Sequence, residues 1–140
     1  MELPIELSSA EDTLRLGREL GQAAQEGDVI ALLGDLGAGK TTLTQGILSG
    51  LGYLKEVTSP TFSLVQEYLG GRLPAFHFDF YRVETEHELL DLGWDDYLER
   101  NGIVIVEWPS LFPQLLPEQT KWIELSHQPG GRLAQLSGPQ

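Results

Sequence analysis

The feature that most limits what this chain can fold into is Gly34-Asp35-Leu36-Gly37-Ala38-Gly39-Lys40-Thr41. It follows the wholly apolar run Val29–Leu33 and precedes Leu43, Ile47, Leu48 and Leu51, which share one face at helical spacing. A short apolar run of this kind predicts a strand buried on both faces of a parallel sheet. The loop matches G-x-x-x-x-G-K-[ST] without a gap, so strand, loop and helix form the phosphate-binding unit. Each residue type has a physical task there. Glycines let the backbone turn and bring its N–H groups close to phosphate, and the following helix points its positive end at the same anion. Lys40 is expected to bridge the β- and γ-phosphates and the Thr41 hydroxyl to ligate Mg²⁺, with Thr42 near the α-phosphate or facing the first helical turn.

A bound Mg²⁺–triphosphate calls for an acid at the end of a neighbouring buried strand. Glu107 closes Ile103-Val104-Ile105-Val106, a second fully apolar run, and is the expected magnesium-side acid. Asp79 lies in Phe76-His77-Phe78-Asp79-Phe80-Tyr81, where apolar and polar residues alternate. It is read either as an acid supporting the site or orienting the attacking water, or as a solvent-facing strand residue. His77 is read as a half-buried strand residue rather than a ligand. Thr58-Ser59-Pro60-Thr61 occupies the place in chain order of a loop that senses the γ-phosphate, although a plain proline turn fits equally. Arg82 suits either transition-state charge neutralisation or a surface salt bridge.

The remaining pattern alternates strands and helices and then meanders, which predicts an α/β P-loop domain in three layers around a mixed, mostly parallel sheet. A first strand is expected within 2–7, then a helix begun by the capping pair Ser8 and Glu11. That helix carries Ala10, Leu14, Gly17, Gly21 and Ala24 on a narrow face suited to close packing. Residues 62–69 and 73–81 read as a hairpin across Gly70-Gly71, 84–98 as a helix interrupted at Gly93, and 122–126 with 132–136 as a last hairpin across Gly130-Gly131. The whole chain, 1–140, is read as one domain with a frayed tail at 137–140.

Charge and composition narrow the partners. With 9 basic and 21 acidic residues the net charge is −12, which disfavours a broad nucleic-acid-binding face. The acids concentrated between Glu84 and Glu99 form a solvated helical face or a docking surface for a basic partner. Absence of cysteine excludes disulfides and thiolate metal sites. No basic segment followed by an apolar stretch opens the chain, and no apolar run is long enough to span a bilayer, so a cytoplasmic location is expected. The single asparagine, Asn101, precedes Gly102. An Asn-Lys-x-Asp guanine-reading motif is therefore impossible, and ATP is the expected nucleotide.

Four segments taken together resemble one family: Gly34 to Thr42, Thr58-Ser59-Pro60-Thr61-Phe62, His77-Phe78-Asp79-Phe80-Tyr81-Arg82 and Val106-Glu107-Trp108-Pro109. In order and spacing they are similar to the TsaE (YjeE) family, the ATPase component of bacterial tRNA threonylcarbamoyladenosine synthesis. The resemblance runs from the first helix to about Pro117. It implies a compact P-loop fold, weak ATPase activity with ATP and Mg²⁺, and partnership with the TsaB–TsaD pair, which modifies adenosine 37 of certain tRNAs. The tRNA would then be reached through those partners. Carried over by position, the resemblance implies that Asp35, Leu36, Gly37, Ala38, Gly39, Lys40, Thr41 and Thr42 hold the nucleotide and that Thr41 and Glu107 hold the metal. Asp79 and Thr61 match further active-site positions, and Trp108 matches an aromatic residue beside the site. Ser110 and Leu111 stand where relatives often carry an acid. The two rival readings are a small-molecule P-loop kinase and a nucleotide-gated binding module with negligible turnover.

Overall fold

The computed structural model describes residues 4–34, 39–55 and 64–137. Its element order is β1 (Ile5–Leu7), α1 (Ala10–Ala23), β2 (Val29–Leu33), α2 (Lys40–Gly50), β3 (Val65–Tyr68), β4 (Ala75–Asp79), α3 (Glu86–Leu92), α4 (Trp94–Glu99), β5 (Ile103–Glu107), β6 (Lys121–Gln128) and β7 (Gly131–Ser137). Short 3-10 turns cover Phe80–Arg82, Pro109–Leu111 and Pro113–Leu115. The strands form one sheet in the order β1-β7-β6-β2-β5-β4-β3. Its centre, β6-β2-β5-β4, is parallel throughout, and antiparallel partners close both sides. The sheet is therefore mixed and mostly parallel, as the apolar character of β2 and β5 requires: both are buried along four of their five residues.

Alternation along the central strands divides the core in two. Ile30, Leu32, Ile103 and Ile105 pack on one face with Leu16, Leu20, Leu43 and Ile47 of α1 and α2. Val29, Phe76, Phe78, Val104 and Val106 pack on the other with Leu89, Trp94 and Tyr97 of α3 and α4. The three layers follow from that division. The acids of α3 and α4 lie outward while Leu89, Trp94 and Tyr97 turn in, and Gly93, at φ 102°, separates the two helices. The segment is thus a solvated face in this structure, with Glu86 and Glu88 in the first turn of α3, where a negative charge complements the helix dipole.

The α1–α2 crossing depends on missing side chains. A Cβ on Gly17 would lie 2.5 Å from the Leu43 carbonyl oxygen and 2.7 Å from Gly46 Cα, and one on Gly46 would lie 2.5 Å from the Leu14 carbonyl oxygen. A Cβ on Gly21 would run into the Ile47 carbonyl oxygen. These glycines let the backbones touch, which fixes α2, and with it Lys40, over the C-terminal edge of β2. The last carbonyls of α1 are satisfied from the β3–β4 turn, where Arg72 donates to Gly21 at 2.8 Å and to Ala24 at 3.0 Å. A cation placed there also complements the negative helix end.

Two local expectations need correction. The cap of α1 is one residue later than the Ser8–Glu11 reading: Ser9 accepts from the Asp12 N–H at 3.2 Å, and the Asp12 carboxylate accepts from the Ser8 N–H and hydroxyl at 3.0 and 2.7 Å. Asp12 wins because its short side chain closes both bonds at once. The tail is shorter than expected, since Ser137 pairs with Trp122 at the end of β7; the rest of that reading, 138–140, lies outside the described residues.

The helix crossing leads to a prediction. Gly21→Ala should destabilise the fold by about 1–3 kcal/mol, the usual cost of overpacking a tight contact, read as a lower urea midpoint. An unchanged midpoint would show that the helices can separate without loss.

Candidate functional site

The site stands at the C-terminal edge of the parallel strands, where open α/β sheets bind ligands. Leu32 pairs with Glu107 and Glu107 with Asp79, so β4 and β5 end level, one residue short of the end of β2, and present two carboxylates side by side. β2 runs into Gly34, whose φ is 149°. Gly39, at φ 103°, is the N-cap of α2 and brings no side chain of its own to cap it. The first N–H groups of a helix are where an anion binds. Lys40 opens α2 and is 6% exposed. Thr41 is exposed and Thr42 half-buried. Asp35, Leu36, Gly37, Ala38 and Thr61, with the rest of the 58–61 loop, lie outside the described residues.

Burying a lysine requires partners. The Lys40 Nζ sits 4.2 Å from the centre of the Trp108 ring, and Lys40 is close enough to Glu107 to favour its charged form. Trp108 directly follows β5 and has φ 57°, the sole positive φ at a non-glycine among the described residues. Such a conformation costs an aromatic residue of order 1–3 kcal/mol and persists where surrounding structure enforces it. Pro109, buried directly after it, and the turn Pro109–Leu111 supply that constraint. Further along, Trp94 donates its indole N–H to the Leu115 carbonyl at 3.0 Å, which holds the segment down. Tyr81, 67% exposed, lies against the outer side of the Trp108 ring at 5.1 Å.

Trp108 separates two clefts. One of about 380 Å³ reaches from Gly34 and Lys40 past Ser110 to Glu124 and Ser126. The other, about 670 Å³, is lined by Asp79, Tyr81, Arg82 and Trp108. Asp79 accepts the Tyr81 N–H at 3.1 Å and pairs with Arg82 at 3.5 Å. Asp79 and Arg82 thus form one ion pair beside the second cleft, the salt-bridge alternative for Arg82. Ser110 lines the first cleft, whereas Leu111 is largely exposed.

His77 is a strand residue as expected, but it is fully buried rather than half-buried. It is 2% exposed, and its Nε2 lies 2.7 Å from Glu107 Oε2. Asp79 and Glu107 occupy the same register level, so a side chain two residues before Asp79 is on the same face one level deeper. The signal was the pairing of a histidine two before one acid with a neighbouring strand ending in another. Neither strand reveals it alone. The Glu107 carboxyl is pushed up by burial, but the hydrogen bond and charge of His77 and the charge of Lys40 outweigh that and hold it below its ordinary 4.5.

The fold is that of the P-loop NTPase class. Within that class the comparisons are specific: residues 7–134 match the family model "Threonylcarbamoyl adenosine biosynthesis protein TsaE". The Bacillus subtilis tRNA threonylcarbamoyladenosine biosynthesis protein TsaE is 46% identical over 109 residues, covering 78% of this chain and 68% of the relative. The Treponema pallidum protein of the same name is 40% identical over 117 residues, 84% and 86% of the two chains. The crystal structure of Bacillus subtilis YdiB superposes with a TM-score of 0.81 at 33% identity, covering 99% of this chain and 86% of that one. The chain belongs to the TsaE family. Among the described residues no helix is long and apolar enough to cross a membrane.

The lowered Glu107 carboxyl sets the sign of an acid effect. Because its folded value lies below the ordinary one, its stabilisation is complete above pH 4.5 and is lost as pH falls through the folded value. The stability difference between wild type and Glu107→Gln should therefore narrow as urea unfolding is moved from roughly pH 7 to roughly pH 3. A pH-independent difference would contradict this electrostatic account.

Proposed function

We propose that this protein is a Mg²⁺-dependent ATPase serving tRNA threonylcarbamoyladenosine synthesis as an accessory subunit of a TsaB–TsaD complex. The observation that carries the reading is the convergence of Lys40, at the start of the helix after the glycine loop, with Glu107 and Asp79 on one sheet edge. The family supports the pathway, and the loop supports a nucleoside triphosphate.

The donor set fits the metal. Mg²⁺ prefers hard oxygen ligands and binds through one or two protein groups plus nucleotide phosphates. Glu107 supplies a carboxylate kept ionised, and Thr41 a hydroxyl at the start of α2. Among the described residues no three His, Asp or Glu side chains gather into a separate metal cage, and a nucleotide-borne ion needs none. When bound, Mg²⁺ neutralises phosphate charge and polarises the oxygens it touches. The remaining work belongs to the chain. Lys40 exchanges the Trp108 ring for β- and γ-phosphate oxygens, a stronger charge–charge contact than the cation–π one. The first N–H groups of α2 bind the same anion. Asp79, held by the Tyr81 N–H and Arg82, orients a water for in-line attack on the γ-phosphorus. Arg82 and a docked partner supply further positive charge. The −12 charge of the chain disfavours direct tRNA contact, and in this reading TsaB and TsaD make it instead.

The test is phosphate release from Mg²⁺–ATP by the chain alone and with purified TsaB–TsaD. Hydrolysis should rise with the pair, and Lys40→Ala should weaken ATP binding about 10- to 100-fold, the worth of a charged hydrogen bond to phosphate. ATP binding without stimulation would remove the accessory role, and full activity in Lys40→Ala would remove the site. Stoichiometric phosphorylation of a metabolite would favour the kinase reading instead.

A further inference from the structure

We propose that His77 is a positioning residue: its Nε2–H clamps Glu107 Oε2 and leaves Oε1 to serve the metal. The inference rests on Glu107 being the magnesium-side acid and concerns what holds that acid in place. The hydrogen bond is 2.7 Å long, and the His77 and Glu107 side chains are 2% and 12% exposed, so solvent does not compete for it. A glutamate has three side-chain torsions, and ordering it on metal binding costs rotamer entropy when nothing restrains it. A donor fixed on the adjacent strand meets that cost during folding.

The strand geometry makes His77 fit for the task. Parallel pairing places it opposite Ile105, one level below the Asp79–Glu107 pair and on the same face. The imidazole therefore reaches Glu107 from beneath, from within the sheet, and leaves the edge above clear for phosphate and metal. An asparagine or serine at 77 would be too short to span that step, and a lysine would place a second full charge beside Lys40. Histidine offers a rigid N–H at the required reach, and partners of this kind commonly change metal affinity or activity 10- to 100-fold when removed.

The test uses the full chain with Mn²⁺ as a paramagnetic probe and a non-hydrolysable ATP analogue, reading bound Mn²⁺ by electron paramagnetic resonance. His77→Leu should weaken Mn²⁺ binding to the protein–analogue complex about 10- to 100-fold and leave metal-free analogue affinity unchanged. His77→Gln, which keeps an N–H donor, should recover part of the loss. In a Glu107→Ala background His77→Leu should have no further effect, because the clamp then has nothing to hold. Should His77→Leu not fold, His77→Phe keeps a planar ring without the N–H and takes its place. Mn²⁺ affinity unchanged in the apolar variant, or the same loss with and without Glu107, would overturn the proposal. Wild-type Mn²⁺ affinity in Glu107→Ala alone would instead overturn the reading of Glu107 as a metal ligand.

Discussion

The parallel pairing of β2 with β5 and of β5 with β4 governs the rest of this structure. Because of that register Leu32, Glu107 and Asp79 lie abreast within one residue of the strand ends, and the chain that leaves each strand there enters the site. β2 leads to the glycine loop, β4 to Tyr81 and Arg82, and β5 to Trp108. A slip of one residue in β5 would turn Glu107 to the opposite face, away from His77. The apolar character of both faces of β5 is what prevents such a slip from being cheap. Four consecutive buried residues must fill fixed places in two separate cores, and each core is shaped by its own pair of helices.

Within that frame the site is a set of mutually dependent burials. Lys40, His77 and Glu107 are each costly to bury alone. Together they compensate one another: His77 hydrogen-bonds Glu107, Lys40 favours its charge, and Trp108 takes the Lys40 ammonium on its ring face. The Trp108 backbone at φ 57° is the conformational cost of bringing that ring back over the lysine. Pro109 and the anchoring of Leu115 by Trp94 spread the cost into the second core. The same aromatic layer, with Phe78 and Phe80 edge-on to Trp94, thus supports β4 and the loop after β5 together.

Much of this was legible because the signals were local. Apolar runs defined β2 and β5, glycine pairs marked the hairpin turns, and Gly93 divided α3 from α4. Gly17 and Gly21 announced a close helix contact, although their partners Gly46 and Gly50 in α2 did not stand out from a segment already rich in glycine. Lys40 and Glu107 were visible because each follows a pattern that stops abruptly at a charge. His77 was not, since its importance depends on the register between β4 and β5, which no single segment encodes. The Trp108 conformation was equally hidden: a positive φ at tryptophan contradicts local preference, and only tertiary packing enforces it. The cap of α1 moved by one residue because two adjacent serines and two adjacent acids offer competing pairs.

Crystallography with Mn²⁺ and a non-hydrolysable ATP analogue would show whether a metal–triphosphate is held between the start of α2 and the end of β5. An anomalous Mn²⁺ peak beside Thr41 and Glu107 is expected, the residues that would hold the ion, with the Lys40 ammonium moved from the Trp108 ring onto phosphate. A metal bound away from Glu107, or a triphosphate bound while Lys40 stays on Trp108, would contradict it.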